Sequence, residues 1–342
     1  MQQNPPPAIS IIVPIYKVQD YIRDALISVQ NQTFADWECI CIDDGSPDDC
    51  ADIVREFAAA DPRFILIQQE NAGVSMARNH GLDLARGKYF AFLDPDDVYA
   101  PAFLETAFAA AEKYKCDIVQ MDLSHVPEDF ELSYTKTRAP VNLDQFLQKY
   151  IQGAERVKFF WMTDFIYGGL WCYCWRNLYR RKALGDIRFV PDIHPGEDDI
   201  YIMAVMNRAC SYAKIESFGV YYRKSKASVI VHLSNPENIG KKIANRCIVT
   251  ETSFNLIQQW DIPENLRTTY MGIFSRSLYD LVVMAFGSGQ KSLCRYVQTR
   301  FDRKMLARLI PVQRLRIRLG MTLFFNGYFN AAHKILYRKI KK

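Results

Sequence analysis

Over the first 125 residues, short and almost wholly apolar runs alternate with stretches whose apolar positions recur at helical spacing. Ile9 to Val13 is one such run, stopped by Pro14. Ile22, Ala25, Leu26 and Val29 follow at i, i+3, i+4 and i+7, which predicts an amphipathic helix with Asp20 placed to cap it. Trp37 to Ile42 is apolar at nearly every position, the mark of a strand covered on both faces. Ser46-Pro47 reads as an N-cap with proline in the first turn, and Cys50, Ile53, Val54 and Phe57 share the face that follows. Phe64 to Ile67 predicts a third strand, a helix runs from about Val74 to a left-handed cap near Gly87, and Tyr89 to Leu93 predicts a fourth strand. Pro101 opens a helix that turns Leu104, Ala107, Phe108 and Ala111 inward, and Ile118 to Met121 predicts a fifth strand.

Alternating elements of these lengths predict an α/β fold, an open and mostly parallel sheet with helices on both faces. Such sheets take ligands at the carboxyl ends of their strands. Two acidic clusters stand there: Asp43-Asp44-Gly45-Ser46 after the second strand and Asp94-Pro95-Asp96-Asp97 after the fourth. Residues 1–8 are a polar, proline-rich lead-in read as disordered, 9–125 form the first half of the sheet domain, and 126–232 a less regular second half. Within that half, Lys158 to Arg181 is dense in aromatics and is interrupted by Gly168 and Gly169. From 233 to 342 the pattern is helical.

The composition, 49% hydrophobic and 24% charged over 342 residues, is that of a globular protein with a sizeable core. Nine cysteines form two C-x-C pairs and no C-x-x-C, which argues against a structural zinc site. The odd count, without a secretory signal, predicts a reducing, cytoplasmic setting. No apolar run reaches the roughly 18 residues of a membrane-spanning helix. The net charge of +5 is uneven: residues 301–342 carry eleven Lys/Arg against one acid, which leaves residues 1–300 at −5. A basic end on an acidic body predicts an anionic surface as partner for that end.

A dinucleotide site would need G-x-G-x-x-G after the first strand, where Pro14-Ile15-Tyr16-Lys17 stands instead. Gly287-Ser288-Gly289-Gln290-Lys291-Ser292 resembles the end of a phosphate loop but has Gln290 before the lysine. The acidic clusters repel a bare phosphate and suit one only across a divalent cation. Mn2+ or Mg2+ takes hard oxygen ligands, one or two carboxylates together with substrate phosphates. Asp94 and Asp96, two residues apart on a tight turn, offer two carboxylates to such an ion; ordinary turn chemistry is the plainer alternative. A third group, Gly196-Glu197-Asp198-Asp199, precedes Ile200, Met203 and Ala204. It reads either as acids favoured by a helix N-terminus or as a general base for a sugar hydroxyl.

Five segments in order resemble the family 2 inverting glycosyltransferases of bacterial surface-polysaccharide and lipopolysaccharide synthesis, which have the GT-A fold. They are Ser10 to Tyr16, Ser28 to Thr33, Ile42 to Ser46, Asn71 to Gly81, and Gly87 to Asp97. Trp175 to Arg180, Gly196 to Asp198, and Tyr221-Tyr222-Arg223 with Ser228 extend the resemblance to about His232. Two positions depart from the family pattern: Pro95 stands where serine is commoner between the aspartates, and Arg176-Asn177 replaces Asn-Lys, moving a cation by one position.

The resemblance implies that 9–125 binds a nucleotide sugar, a UDP-sugar, and that 126–232 binds the acceptor. It implies that Pro14 and Tyr16 line the nucleotide pocket, Asp43 meets the uracil, and Asp44 supports that loop. Asn71, Gly73 and Arg78 would lie near base and ribose. Asp94 would contact ribose or metal, with Asp96 and Asp97 completing the site for Mn2+ or Mg2+. Asp198 would be the catalytic base, oriented by Glu197. The acceptor would be a glycan or lipid-linked saccharide. Apart from the resemblance, the aromatic belt from Phe159 to Tyr179 reads mostly as core filler, with one or two rings, Trp171 or Trp175, expected to face the cleft and stack on an acceptor sugar. Whether His232 ligates the metal stays open, and His194, before Pro195, reads as loop structure.

From Met321, the residues Phe324, Phe325, Tyr328, Ala332, Ile335 and Leu336 fall on one helical stripe beside Lys334, Arg338, Lys341 and Lys342. A basic amphipathic helix of this kind suits a peripheral place on the inner membrane's cytoplasmic face. A helix packed on the body, or a homo-oligomer interface, is the alternative. No nucleic-acid-binding pattern accompanies the basic residues. A sugar nucleotidyltransferase would want a glycine-rich basic loop after the first strand, which is missing. An inactive nucleotide-sugar binder would not need Asp94, Asp96 and Asp198 together.

Overall fold

The structure is a computed structural model that describes residues 5–130, 143–157, 160, 173–193, 195–223, 236–260, 264–309 and 315–336. Its internal contacts separate two units: Met1–Trp161 with Trp171–Ser228, and Met162–Leu170 with Val229–Lys342. Trp171, His194 and His232 lie outside the described residues.

The first unit is built on β1 (Ile9–Ile15), α1 (Gln19–Gln30), β2 (Trp37–Asp43), α2 (Cys50–Ala60), β3 (Phe64–Gln68), α3 (Val74–Leu84), β4 (Tyr89–Phe92), β5 (Val98–Tyr99), α4 (Phe103–Tyr114) and β6 (Ile118–Val126). It continues through α5 (Leu143–Phe146), β7 (Leu147–Gln152), β8 (Asn177–Arg180), α6 (Arg181–Leu184), α7 (Glu197–Arg208) and β9 (Ser211–Arg223). The sheet order is β3-β2-β1-β4-β8-β6-β9-β5, with β7 also on β9. β3, β2, β1 and β4 are parallel, as the alternating pattern predicts. Every residue of β1 and of β2 is buried, because helices cover both faces of these strands.

Beyond β4 the sheet is mixed. β8 enters antiparallel between β4 and β6, where sequence alone places the fifth parallel strand directly. β8 is only four residues long and lies inside the aromatic-rich stretch, so no alternation marks it. β6 runs on to Val126 and pairs in parallel with β9 through two register shifts.

Several helix ends differ from expectation. α1 has Val18 at its N-cap, with Asp20 inside the first turn. α2 begins at Cys50 after Asp49, because the Ser46 hydroxyl accepts the Lys17 N–H (2.9 Å) instead of capping. α3 ends at Leu84 with Ala85 as its cap. Gly87 is needed for another reason: a Cβ there would meet Ser10 N and Tyr89 O, each at 2.6 Å.

β1 joins β2 on one side, and the chain later returns to place β4 on its other side, so the strand order reverses between β1 and β4. Ligands of open α/β sheets bind at such a reversal. Pro14 opens it further. The Ile12 carbonyl accepts Leu93 N–H and the Ile15 carbonyl accepts Asp44 N–H. Position 14 therefore faces the β4 side, beyond the last β1–β4 pair at Ile12 and Phe92, where no ladder donor is required. α3 packs tightly over this point: a Cβ on Gly81 would lie 2.4 Å from Ile12 Cγ2.

The second unit contains α8 (Ile239–Gln258), α9 (Glu264–Gly287), α10 (Lys291–Arg300), α11 (Arg303–Leu309), α12 (Leu315–Phe325) and α13 (Phe329–Leu336). Ile243, Phe254, Leu278, Leu281, Val297 and Leu309 are among its buried residues. The stripe that begins at Met321 is not one helix. Gly327 takes φ +86° and separates α12 from α13. Met321, Phe324, Ala332 and Leu336 are buried within the unit, while Tyr328 is exposed. These buried positions therefore form a helix–helix contact and offer no apolar face to a bilayer. α12 and α13 approach so closely that a Cβ on Gly320 would sit 2.4 Å from Leu336 Cδ2. No described helix is long and apolar enough to cross a membrane.

Candidate active site

At the tip of β2, Asp43 and Asp44 are buried and fully engaged. Asp43 accepts Ser46 N–H (3.0 Å) and the Gln68 side-chain amide (3.0 Å). Asp44 accepts the Gln69 amide (2.7 Å), Ala72 N–H (2.9 Å) and Gly73 N–H (2.8 Å), and its carbonyl accepts the Asn71 amide (2.8 Å). One carboxylate thus fastens the strand tip to the start of α3, where Gly73 takes φ +87° without a Cβ penalty. Asp44 is the support of the loop. Asn71 and Gly73 are held by Asp44. Tyr16 leaves the end of β1 and is 42% exposed.

After β4, the Asp97 N–H donates to the Asp94 carbonyl (3.0 Å), so Asp94-Pro95-Asp96-Asp97 is a β-turn with proline at its second position. Proline is preferred there because its fixed φ matches the turn. The turn leaves Asp94 and Asp96 partly exposed but buries Asp97. Asp97 accepts Arg223 N–H (2.9 Å), and its other oxygen is buried without a hydrogen-bond partner. Burial first, and then the neighbouring charges of Asp96 and Asp94, push its carboxyl well above the carboxylate range. It faces inward toward the backbone of β9.

Arg78 is the fifth residue of α3, about 6 Å along the helix axis from its start. Its side chain is 3% exposed. One guanidinium nitrogen, Nη2, donates to Asp94 Oδ1 (2.7 Å); the other, Nη1, donates to Glu197 Oε1 (3.0 Å) and Asp198 Oδ1 (2.9 Å). The Phe189 ring lies 5.1 Å away against its face. The resemblance implies a place near base and ribose for this residue. In the structure it stands behind three carboxylates.

Glu197 and Asp198 open α7, where helix N-terminal amides favour negative charge. Gly196 takes φ +111° at the N-cap. Asp198 Oδ1 is held by Arg78, and Oδ2 takes a long contact from Cys174 N–H (3.4 Å), with the Cys174 thiol bonded to the same carboxyl. The side chain keeps 18% exposure, and Oδ2 is the oxygen that Arg78 leaves for an incoming proton. Burial raises the Asp198 carboxyl to about 7; the Arg78 charge opposes this, and Glu197 and Asp94 add to it. A carboxyl with that affinity is half ionised near neutral pH, which suits a general base.

Trp175 is almost fully buried and lies against Tyr173 (4.8 Å) and Tyr222 (5.5 Å) in near-parallel stacks. It does not face a cleft; its half-buried neighbours Tyr173 and Tyr222 carry the accessible aromatic surface. Arg176 is also buried, and the Asn177 amide donates to the Tyr173 carbonyl (3.0 Å), so this motif holds the chain before β8. Among the described residues, no three His, Cys, Asp or Glu side chains converge as a metal cage. Sequence reasoning missed the shared role of Arg78. The available signal was an arginine on the same helical face as Leu82, a buried position for a charge.

A model of "Glycosyl transferase family 2" matches residues 10–187, more than half of the chain. The chain belongs to glycosyl transferase family 2. Among curated relatives of this family 2 chain, the Bacillus subtilis "Uncharacterized glycosyltransferase EpsJ" is 32% identical over 65% of this chain and 63% of its own. B. subtilis "Putative glycosyltransferase EpsH" is 34% identical over 52% of this chain and 48% of its own. The Streptococcus pneumoniae "Glycosyltransferase GlyA" is 30% identical over 57% of this chain and 27% of its own, so the matches span less than two thirds of these relatives. Among solved structures, S. aureus TarS 1–349 in complex with UDP-GlcNAc aligns with a TM-score of 0.57 at 19% identity, over 96% of this chain and 83% of that one. The Pyrobaculum calidifontis mannosyltransferase PcManGT in complex with GDP-Man and Mn2+ aligns with a TM-score of 0.51 at 15% identity, over 98% and 88%. At these identities the likeness speaks for the GT-A fold.

Proposed function

We propose that this family 2 chain moves a sugar from a UDP-sugar to a hydroxyl of a glycan or lipid-linked saccharide in bacterial surface-polysaccharide synthesis, inverting the anomeric carbon. The observation that carries this reading is the gathering of Asp94, Glu197 and Asp198 on the single guanidinium of Arg78 at the strand-order reversal. A donor-side carboxylate and a carboxyl with proton affinity near neutrality thereby meet on one guanidinium. In a single displacement the acceptor oxygen forms a bond to the anomeric carbon. The bond from that carbon to the diphosphate oxygen breaks with its electron pair leaving on the diphosphate, and the acceptor proton passes to Asp198 Oδ2. The protein's work is to hold both sugars and to receive that proton.

Asp94 and Asp96 fit a Mn2+ or Mg2+ ion. Both are hard oxygen donors on one turn, Arg78 occupies only Oδ1 of Asp94, and such ions take one or two carboxylates with phosphate oxygens and water. When bound, the ion would neutralise the departing diphosphate. Asp97, turned inward, ties the turn to β9. UDP as the nucleotide is favoured by the UDP-GlcNAc complex of TarS, and a surface-polymer acceptor by relatives such as the B. subtilis "Minor teichoic acid biosynthesis protein GgaB". Membrane contact, in this reading, is left to exposed basic residues of the second unit such as Arg318 and Lys334. The experiment is UDP release from a panel of UDP-sugars with Mn2+ and candidate acceptors, in the wild type and in Asp198→Asn. Transfer that survives this change rules out the assigned base.

A further inference from the structure

We propose that Arg78 is a positioning residue whose buried guanidinium ties the acceptor-side carboxylates of Glu197 and Asp198 to the donor-side Asp94, fixing the spacing between base and leaving group. The proposal rests on the reading of Asp198 as base and of the Asp94 turn as donor site. It departs from the role of nucleotide contact that the resemblance implies. At 3% side-chain exposure the guanidinium offers almost no surface to a nucleotide. Its nitrogens are directed to three carboxylates that lie 16, 119 and 120 residues away in sequence.

The three carboxylates repel one another, and the shared cation reverses that repulsion within one small region. Arg78 is itself held. The next residue, Asn79, clamps the backbone of Phe189 with two bonds: its amide donates to the Phe189 carbonyl (2.9 Å), and its oxygen accepts Phe189 N–H (2.8 Å). Phe189 lies against the guanidinium face and stacks on Tyr201 of α7 (3.9 Å). α3 therefore grips the segment before α7 through Asn79 and the first turn of α7 through Arg78. The same helix holds the β4 turn through Asp94. A rigid fork with charge on both arms can bridge two such segments, whereas a lysine ammonium is a single point.

The test compares Arg78→Gln, Arg78→Lys and the charge-balanced pair Arg78→Gln/Glu197→Gln. Calorimetry gives the affinity for UDP with Mn2+. Turnover is read as UDP or GDP release from whichever of UDP-N-acetylglucosamine, UDP-glucose and GDP-mannose the wild type uses. Arg78→Gln is expected to lower kcat by about 100-fold, the effect of displacing a reacting group by roughly 1 Å, with UDP affinity within about threefold of wild type. Arg78→Lys should recover a minor part of kcat. UDP affinity that falls in step with kcat/KM at unchanged kcat would make Arg78 a nucleotide contact and overturn the proposal, as would an unchanged kcat. If the single variant does not fold, the balanced pair gives the same readout, and its failure to melt cooperatively would make Arg78 purely architectural and also overturn the proposal. Turnover that persists in Asp198→Asn with Arg78 intact would defeat the base assignment instead.

Discussion

Asp198→Asn separates the cost of burying the base from its use. The Asp198 carboxyl is raised from 3.8 to about 7, chiefly by burial. Below about pH 4 it is protonated in both the folded and the unfolded chain. Between about 4 and 7 the unfolded chain ionises it while the folded chain keeps the proton, so stability falls as pH rises. Each pH unit costs about 1.4 kcal/mol, and the whole interval about 4 kcal/mol, with a plateau above pH 7. Asparagine carries no such titration. Melting curves of wild type and Asp198→Asn from pH 4 to 9 should therefore diverge by several degrees between pH 4 and 7 and stay apart above it, with the variant the more stable at alkaline pH. Turnover should show the opposite order, with an acid limb near pH 7 in the wild type and none in the inactive variant. Melting curves that stay parallel across this range would refute the burial argument.

Asp44→Ala removes three hydrogen bonds that fasten the segment between β3 and α3 to β2 and should cost about 2–3 kcal/mol, with weaker UDP binding measured by calorimetry. Gly87→Ala drives a methyl against three backbone atoms and should destabilise by about 1–3 kcal/mol in denaturant titration, with loss of the β1–β4 contact where Gly87 N–H meets Ser10 Oγ. Chelation with EDTA should abolish sugar transfer, and Mn2+ or Mg2+ should restore it; activity unchanged by the chelator would remove Asp94 and Asp96 from any metal role.

The parallel half of the sheet was legible because each strand is a short, mostly apolar run between turn residues, as in Ile9 to Val13 and Tyr89 to Leu93. Both acidic strand tips followed from that placement. The antiparallel β8 was not legible: four residues, Asn177 to Arg180, are too few to display a period and are rich in groups that other roles also use. The break between α12 and α13 was hidden because Gly327 alone interrupts an otherwise continuous apolar spacing. The role of Arg78 could not be read because its three partners come from distant segments, and only the fold brings them to one guanidinium. The resemblance implies a metal role for Asp97, but the sequence does not tell its burial apart from that of Asp94 and Asp96. The β-turn geometry sends alternate side chains in different directions and buries it.

In the proposed enzyme the tips of β2 and β4 hold the nucleotide sugar and Asp198 receives the acceptor proton. A crystal grown with UDP and Mn2+ tests this arrangement most directly through the anomalous signal of manganese. The expected result is a manganese peak beside Asp94 and Asp96, the uracil beside Asp43, and Arg78 still bound to Asp198. Manganese and UDP bound away from these strand tips, or an Arg78 swung out to contact the nucleotide, would contradict it.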